Sequence, residues 1–228
     1  MSPQRHELTA GIRAEMPIAL GVIPFGLIYG VLALAAGLPP AVAQAMSAIV
    51  FAGSAQFIGV QLIGAGAAIP VLWLTTFVVN LRHLLYSASI APHTQHLPPR
   101  WRWLLAYLLT DEAFVVAILH YNNQERPLAH KHWYFLGAGL TLWTTWQIST
   151  AVGIFLGAQV PASWSLDFTL ALTFIGLVIP ALRERPHLAA AITAGIVALL
   201  TFAWPYKLGL IAAALCGIAV GTALEARQ

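Results

Sequence analysis

The sequence predicts an all-α fold: a polytopic transmembrane helical bundle of about eight membrane segments, within a range of 6–8, some of its helices broken. Composition is the first reason. Hydrophobic residues make up 59 % and charged residues 8 %, whereas soluble domains carry about 25 % charged residues, so this chain cannot cover a water-facing surface. Run length is the second. The apolar runs approach the ~20 residues a helix needs to cross a bilayer, and they lack the ~10-residue alternation of barrel strands. Helices and closed barrels alone satisfy every backbone group in lipid, so the helical reading follows. The third is charge placement. Lysine and arginine gather between the runs, as orientation signals do, so the net charge of +3 reads as topology and needs no nucleic acid.

The first run, residues 16–36, follows Arg5 and Arg13. It exceeds the roughly 7–15 apolar residues of a secretory signal and reads as a span. Gly26 and Gly30 form a GxxxG pattern that admits a close helix neighbour, Pro24 frees a backbone carbonyl one turn earlier, and GLPP at 37–40 closes the run. The second run, 41–67, has no charge. On one continuous helix Gln44, Ser47, Phe51, Ser54, Ile58 and Gln61 share a face, a wet stripe suited to neighbours or a cavity; Gly53 and Ser54 in FAGSAQF mark where the helix would unwind. The third span is 69–90, followed by a Pro-rich loop at 91–102, and the fourth is 103–120. After a loop at 122–132 the fifth, 133–156, is rich in hydroxyls, carries Trp143 and Trp146 mid-span and begins a second GxxxG at Gly153 and Gly157. The sixth is 166–182, with Pro180 near its end. A charged turn at 183–186 leads to the seventh, 187–204, and the eighth, 208–224, holds a third GxxxG at Gly217 and Gly221. Trp101, Trp103, Trp133, Tyr134, Trp164, Trp204 and Tyr206 fall at span ends, where amphipathic rings prefer to sit. Trp143 and Trp146 do not and are expected to pack against protein.

Charge weighs eight crossings against an alternative in which 41–67 only dips into the membrane and returns. With the N-terminus cytoplasmic, eight crossings place Arg5, Arg13, Arg126, Lys131, Arg183, Arg185 and Arg227 inside and Arg100, Arg102 and Lys207 outside, seven against three. The single dip gives an even split, so the positive-inside rule prefers eight, with Arg100 and Arg102 in violation. No linker or soluble segment interrupts the pattern, and residues 1–228 are expected to form one integral membrane domain. Cys216 is the sole cysteine, a small packing residue, and no Cys/His spacing fits a metal. No cofactor is implied.

Chemistry concentrates in TTFVVNLRHLLYSAS, residues 75–89, where Asn80, Arg82 and His83 interrupt an apolar run. An arginine near mid-membrane costs about 2.5–3.5 kcal/mol on insertion, so it needs a polar interior and a partner. Asp111 and Glu112 supply one in the next run. Adjacent on a helix, they point about 100° apart, so one lines a site while the other lies at its edge. A carboxyl out of water favours its protonated form unless a cation sits close, which makes Asp111 and Glu112 candidate proton carriers; the bland alternative is an architectural ion pair between two spans. His83, with a reference pKa of about 6.5, is a candidate relay, against the plainer reading of a ring bonded to Asn80 or Ser87. Tyr86, one turn beyond Arg82, is a candidate to hold its guanidinium. His93, His96, His130, His132 and His187 fall in loops or at a span start and read as solvated.

FAGSAQF (51–57), VNLRHLLYSAS (79–89) and LTDEAF (109–114), with PFGLIYGVLALAAG (24–37), resemble the AzlC family of large subunits of bacterial branched-chain amino acid exporters. The motifs cover the first half of the chain; beyond about residue 120 the likeness is one of hydropathy. The resemblance implies export of hydrophobic amino acids such as valine, leucine, isoleucine and methionine, together with a small AzlD-type membrane subunit, in the bacterial inner membrane.

The residues agree. A zwitterion needs a cation or helix N-terminus for its carboxylate and an anion or carbonyls for its amine. Arg82 with Gly53, Ser54 and Gln56 serves the first, Asp111 or Glu112 the second, and Asn80 adds an amide; Gly53, Phe57, Tyr86 and Trp143 offer an apolar wall. The expected mechanism is proton-driven alternating access, with protonation of Asp111 or Glu112 loosening the hold on the substrate amine or on Arg82. Two rivals come from other classes: a non-transporting scaffold or channel subunit, and an intramembrane hydrolase with Ser54 as nucleophile and His83 as base.

Overall fold

The computed structural model describes residues 2–122, 130–158, 185–204 and 208–225, and every regular element among them is a helix. The chain divides into two compact units, Met1–Trp164 and Ser165–Gln228.

The first unit is built on two long helices, α1 (Pro3–Ala35) and α8 (Lys131–Gly157). They run parallel and in register. Gly11 meets the backbone at Tyr134 and Ala138, Gly26 meets Ser149, Gly30 meets the Thr150–Ile154 turn, and Gly157 meets Val31. The GxxxG at Gly26 and Gly30 is thus the partner of the one at Gly153 and Gly157. At Gly30 and Gly153 a Cβ would fall on the opposite backbone, so the approach depends on glycine in the manner of small-residue membrane interfaces. α1 starts thirteen residues ahead of the expected 16, so Arg5, Glu7, Arg13 and Glu15 are all helical. The end where α1 and α8 begin is called here the head, and the other end the tail.

Between them lie α2 (Pro40–Ile49), α3 (Gly53–Gly64), α4 (Ile69–Asn80), α5 (Arg82–Thr94), α6 (Pro99–Tyr107) and α7 (Asp111–Tyr121). Residues 41–67 do not cross. α2 sets out beside the tail of α1 and descends to mid-height, where Ser47 Oγ is 3.1 Å from Thr150 Oγ1 and Gln44 Nε2 donates to Gln147 Oε1 at 2.8 Å. After Val50, Phe51 and Ala52 the chain reverses. α3 climbs back until Gly64 packs on Ala36. α4 and α5 then cross from tail to head with a joint at Leu81, ending where the His93 ring lies 5.0 Å from Tyr121.

The fourth expected span is a second reversal, entering from the other end. α6 starts at the head, its Trp101 ring 4.9 Å from Trp133. It ends at mid-height, where Trp143 Nε1 donates to Tyr107 Oη at 2.7 Å. After Leu108, Leu109 and Thr110, α7 returns to the head, where Lys131 Nζ donates to the Tyr121 carbonyl at 3.0 Å. The two V-shaped pairs meet tip to tip: Tyr107 Oη donates to the Ala48 carbonyl, and the Phe51 and Tyr107 rings lie 6.2 Å apart.

This corrects the preference for eight crossings and explains why charge misled. One reversal evens out the charges, but two reversals from opposite ends put Arg5, Arg13, Arg100, Arg102 and Lys131 at the head and leave the tail links, residues 36–39 and 65–68, uncharged. Arg100 and Arg102 then obey the rule they had violated. A sequence trace exists: Leu-Pro-Pro at 38–40 and again at 97–99 opens each V, its leucine buried both times. Proline suits this position because its missing N–H is unneeded in a helix's first turn.

The reversals also revise the polar stripe of the second run. Gln44 and Ser47 bind α8 from α2, Ser54 starts α3, and Gln61 is exposed. Trp143 and Trp146 pack against protein as expected. Tyr134, expected at an interface, is buried and stacks on His120 at 3.7 Å. His93 and His132 are half-buried instead of solvated. The sixth expected span, Trp164 and Tyr206 lie outside the described residues.

In the second unit α9 (Arg185–Leu200) and α10 (Leu208–Glu225) form an antiparallel pair. Gly217 packs on Ala190 and Ala194, and Gly221 on Ala190, so the third GxxxG also mediates a helix contact. By length and composition, Pro3–Ala35, Ile69–Thr94 and Leu208–Glu225 are long and apolar enough to cross a membrane. The fold is an all-α membrane bundle.

Candidate functional site

Three helices begin at the meeting point of the V tips: α3 at Gly53, α5 at Arg82 and α7 at Asp111. Thr110 caps α7, its hydroxyl accepting from the Ala113 N–H at 3.3 Å, and Asp111 and Glu112 occupy the first turn, where carboxylates complement the helix dipole. They are therefore at a helix start instead of mid-helix.

Arg82 crosses this gap. Its Nη1 lies 2.6 Å from Asp111 Oδ2 and its Nη2 donates to Ser54 Oγ at 3.2 Å. One guanidinium thus ties the two V tips through the joint of the crossing helix. The pair is partly open, with side-chain exposures of 29 % and 37 %. Around it lies a chamber of about 60 Å³ bounded by Gly53, Ser54, Arg82, His83, Asp111 and Glu112, with Val22, Phe51, Leu142 and Trp146 as the apolar wall. Two buried polar atoms of the chamber's own residues, Arg82 Nε and Asp111 Oδ1, have no hydrogen-bond partner among the described residues, and neither has Asn80 Oδ1, two residues before Arg82. A donor and two acceptors are left to be satisfied.

The other expected residues fall as follows. Glu112 faces the same chamber. His83 Nδ1 lies 3.2 Å from the Asn80 carbonyl oxygen, the plainer of its two readings. Tyr86 stacks on Phe114 at 4.5 Å and approaches Asp111, so it supports the acid instead of holding the guanidinium. Gln56 is fully buried and engaged on every side: Nε2 donates to the Ser47 carbonyl at 3.2 Å and to that of Val50, and Oε1 accepts from Trp146 Nε1 at 3.1 Å. It fixes the first V instead of facing the chamber. Phe57 packs edge-on against Trp146 at 6.5 Å behind the wall, and Trp143 serves α6. Ser54 and His83, the residues of the hydrolase reading, bond to Arg82 and the Asn80 carbonyl and are not hydrogen-bonded to each other. Among the described residues no group of three or more His, Cys, Asp or Glu side chains is arranged to hold a metal.

Sequence reasoning passed over Glu15. It is wholly buried in α1, and neither carboxyl oxygen has a hydrogen-bond partner among the described residues. Its signal was an acid two residues after Arg13 at the border of an apolar run, a place where a charge normally reads as solvated.

A larger cleft, about 650 Å³, opens at the head between Arg100, Trp101 and His132 and lies apart from these groups. The chamber has the converging charges and helix starts.

Comparison with known proteins agrees with the motifs. An uncharacterized membrane protein of Archaeoglobus fulgidus is 32 % identical over 91 % of this chain and 90 % of its own length. Inner membrane protein YgaZ of Escherichia coli is 26 % identical over 95 % of the chain and 90 % of its length. Branched-chain amino acid transport protein AzlC of Bacillus subtilis is 27 % identical over 82 % of the chain and 74 % of its length. No solved structure matches. The family model described as AzlC protein matches residues 17–160, a stretch that holds both V-shaped pairs and all three helix starts of the chamber, and the chain belongs to that family.

Proposed function

We propose that this chain is a secondary transporter subunit that exports hydrophobic and branched-chain amino acids (valine, leucine, isoleucine, methionine) by alternating access, driven by the proton gradient. One observation carries the reading: the Arg82–Asp111 pair leaves a donor, Arg82 Nε, and an acceptor, Asp111 Oδ1, unsatisfied at the chamber, and Asn80, two residues before Arg82, has a second such acceptor in Oδ1. A free amino acid matches this set. Its carboxylate suits the guanidinium and the N–H groups that open α3, its ammonium suits the two acceptors, and its side chain suits the wall of Val22, Phe51, Leu142 and Trp146. The printed name of the Bacillus subtilis relative supports this substrate class.

The chamber's 60 Å³ holds roughly two waters by liquid volume, so binding an amino acid requires the tips to part. Opening means loosening the Arg82 ties, and that gives protonation of Asp111 or Glu112 a mechanical role: a neutral acid releases the guanidinium. His83, beside Arg82, is the candidate relay. The charge concentrated at the head supports a cytoplasmic setting for that end, and for the N-terminus, in a multi-pass inner membrane protein. Residues 1–228 work as one membrane domain together with a small AzlD-type subunit.

The test is export of labelled leucine from cells carrying Arg82→Ala or Asp111→Asn, expected to fall at least tenfold at unchanged protein levels. Wild-type rates would remove the site. Substrate-dependent counterflow in liposomes, run with and without the small subunit, separates a carrier from a channel or scaffold.

A further inference from the structure

Glu15 takes no part in the site described above, yet it is the most completely enclosed acid of the described residues. Its exposure is 0 %, and neither carboxyl oxygen finds a donor among the described residues. It stands on the stripe of α1 that faces α8, four residues after Gly11 and seven before Val22, which lines the chamber. Seven residues are two helical turns, about 10 Å along the axis and nearly the same direction. The glycine register sets it level with the Ala138–Leu142 turn of α8, which supplies small and apolar atoms. Leucine or alanine would pack here without the desolvation cost that a carboxyl incurs, so packing alone does not account for an acid.

The charged and titratable groups around it are few. α2 and α3 carry none. α8 brings Lys131, whose Nζ is engaged by the Tyr121 carbonyl, with His132 and Tyr134, all at the head. α7 brings His120, bound to Glu7 of α1 at 2.8 Å, and Tyr121 at that same end, with Asp111 and Glu112 at the other. α1 itself adds Arg5, His6, Arg13 and Tyr29. None of these groups hydrogen-bonds either Glu15 carboxyl oxygen. Val116, Tyr134 and Ala138, with Ala10 and Ile18, form an apolar cluster beside this part of α1.

We propose that Glu15 is a proton-binding residue that carries its own proton, an inner station two helical turns along α1 from the chamber wall at Val22. A carboxyl with neither donor nor cation is stable with its own proton as partner. Val22, on the same stripe of α1 as Glu15, lines the chamber with Glu112, so the station stands beside the residues proposed to hold substrate. As a statement about coupling this rests on the export reading; as a statement about a protonated carboxyl it does not.

Infrared spectroscopy of the purified full chain in lipid discs, in H2O and D2O at neutral pH, tests it. The expected result is a protonated-carboxyl stretch that is lost in Glu15→Gln and changes frequency in Glu15→Asp. An unchanged band in Glu15→Gln, or no such band in the wild type, overturns the proposal whether or not the chain exports anything. Leucine export across a pH series is the second readout: Glu15→Gln flattens the pH response, while Glu15→Asp restores part of it. A folded Glu15→Gln protein with the wild-type pH response also overturns it. If Glu15→Gln does not fold, Glu15→Asp alone decides, since its band must shift if Glu15 carries the proton. Wild-type protein that shows the Glu15 band but no export would instead sink the functional reading and leave the proton site standing.

Discussion

At Arg82 the economics of a membrane charge are visible in single atoms. Its guanidinium meets one carboxylate and one hydroxyl, and both partners stand at helix starts. Removing one member of a buried pair strands the other, which costs about 3–5 kcal/mol in a dry interior, but partial exposure here scales the effect down. Arg82→Met and Asp111→Leu are each expected to destabilise by about 1–2 kcal/mol, and the double variant by less than their sum, as thermal unfolding in detergent would show. Additive losses would mean the two residues do not interact. Gln56 predicts a purely structural phenotype. Gln56→Leu strands the Trp146 N–H and frees two tip carbonyls, at about 1–3 kcal/mol for each buried group left without its partner, with leucine affinity near that of the wild type in the protein that folds. The motif residues were legible because charge inside an apolar run is conspicuous. Glu15 was not, because its burial comes from α8, more than a hundred residues away.

Helix packing shows which small residues matter. Gly30 and Gly153 face the opposite backbone directly, whereas Gly21 of the same α1 has nothing near its missing Cβ. Gly30→Leu or Gly153→Leu should lower the unfolding midpoint strongly, by at least the ~1–3 kcal/mol of overpacking, or abolish folded protein. Gly21→Ala should raise it slightly, because alanine exceeds glycine in a helix by about 0.5–1 kcal/mol. Equal effects at the two kinds of site would refute the parallel α1–α8 seam. The sequence named all three GxxxG pairs but not their partners, since the motif records only that some helix comes close. The breaks at Gly53 and before Asp111 differ in the same way. Gly-Ser marked the first, while the second has Leu-Leu-Thr at the turn and no glycine or proline, and only the helix-capping threonine betrays it.

For the first unit as a whole, topology is the prediction most exposed to refutation. With the proposed cytoplasmic head, two reversals put residues 65–68 on the outer side and 91–102 on the cytoplasmic side, and eight plain crossings put them the other way round. In a Cys216→Ser background, Ala65→Cys is expected to react with a membrane-impermeant thiol reagent on intact cells, and Gln95→Cys only after permeabilisation. The opposite labelling would restore eight crossings. The sequence by itself determined the solvent, the helices and the unusual charges, because hydropathy and insertion cost are local quantities summed along the chain. Whether an apolar run passes through or turns back, which glycines face each other, and that Arg82 meets Asp111 and Ser54 while Glu15 meets no donor were decided by tertiary structure alone. A ten-residue half-helix and half of a twenty-residue span have the same composition, and only contacts between distant segments tell them apart.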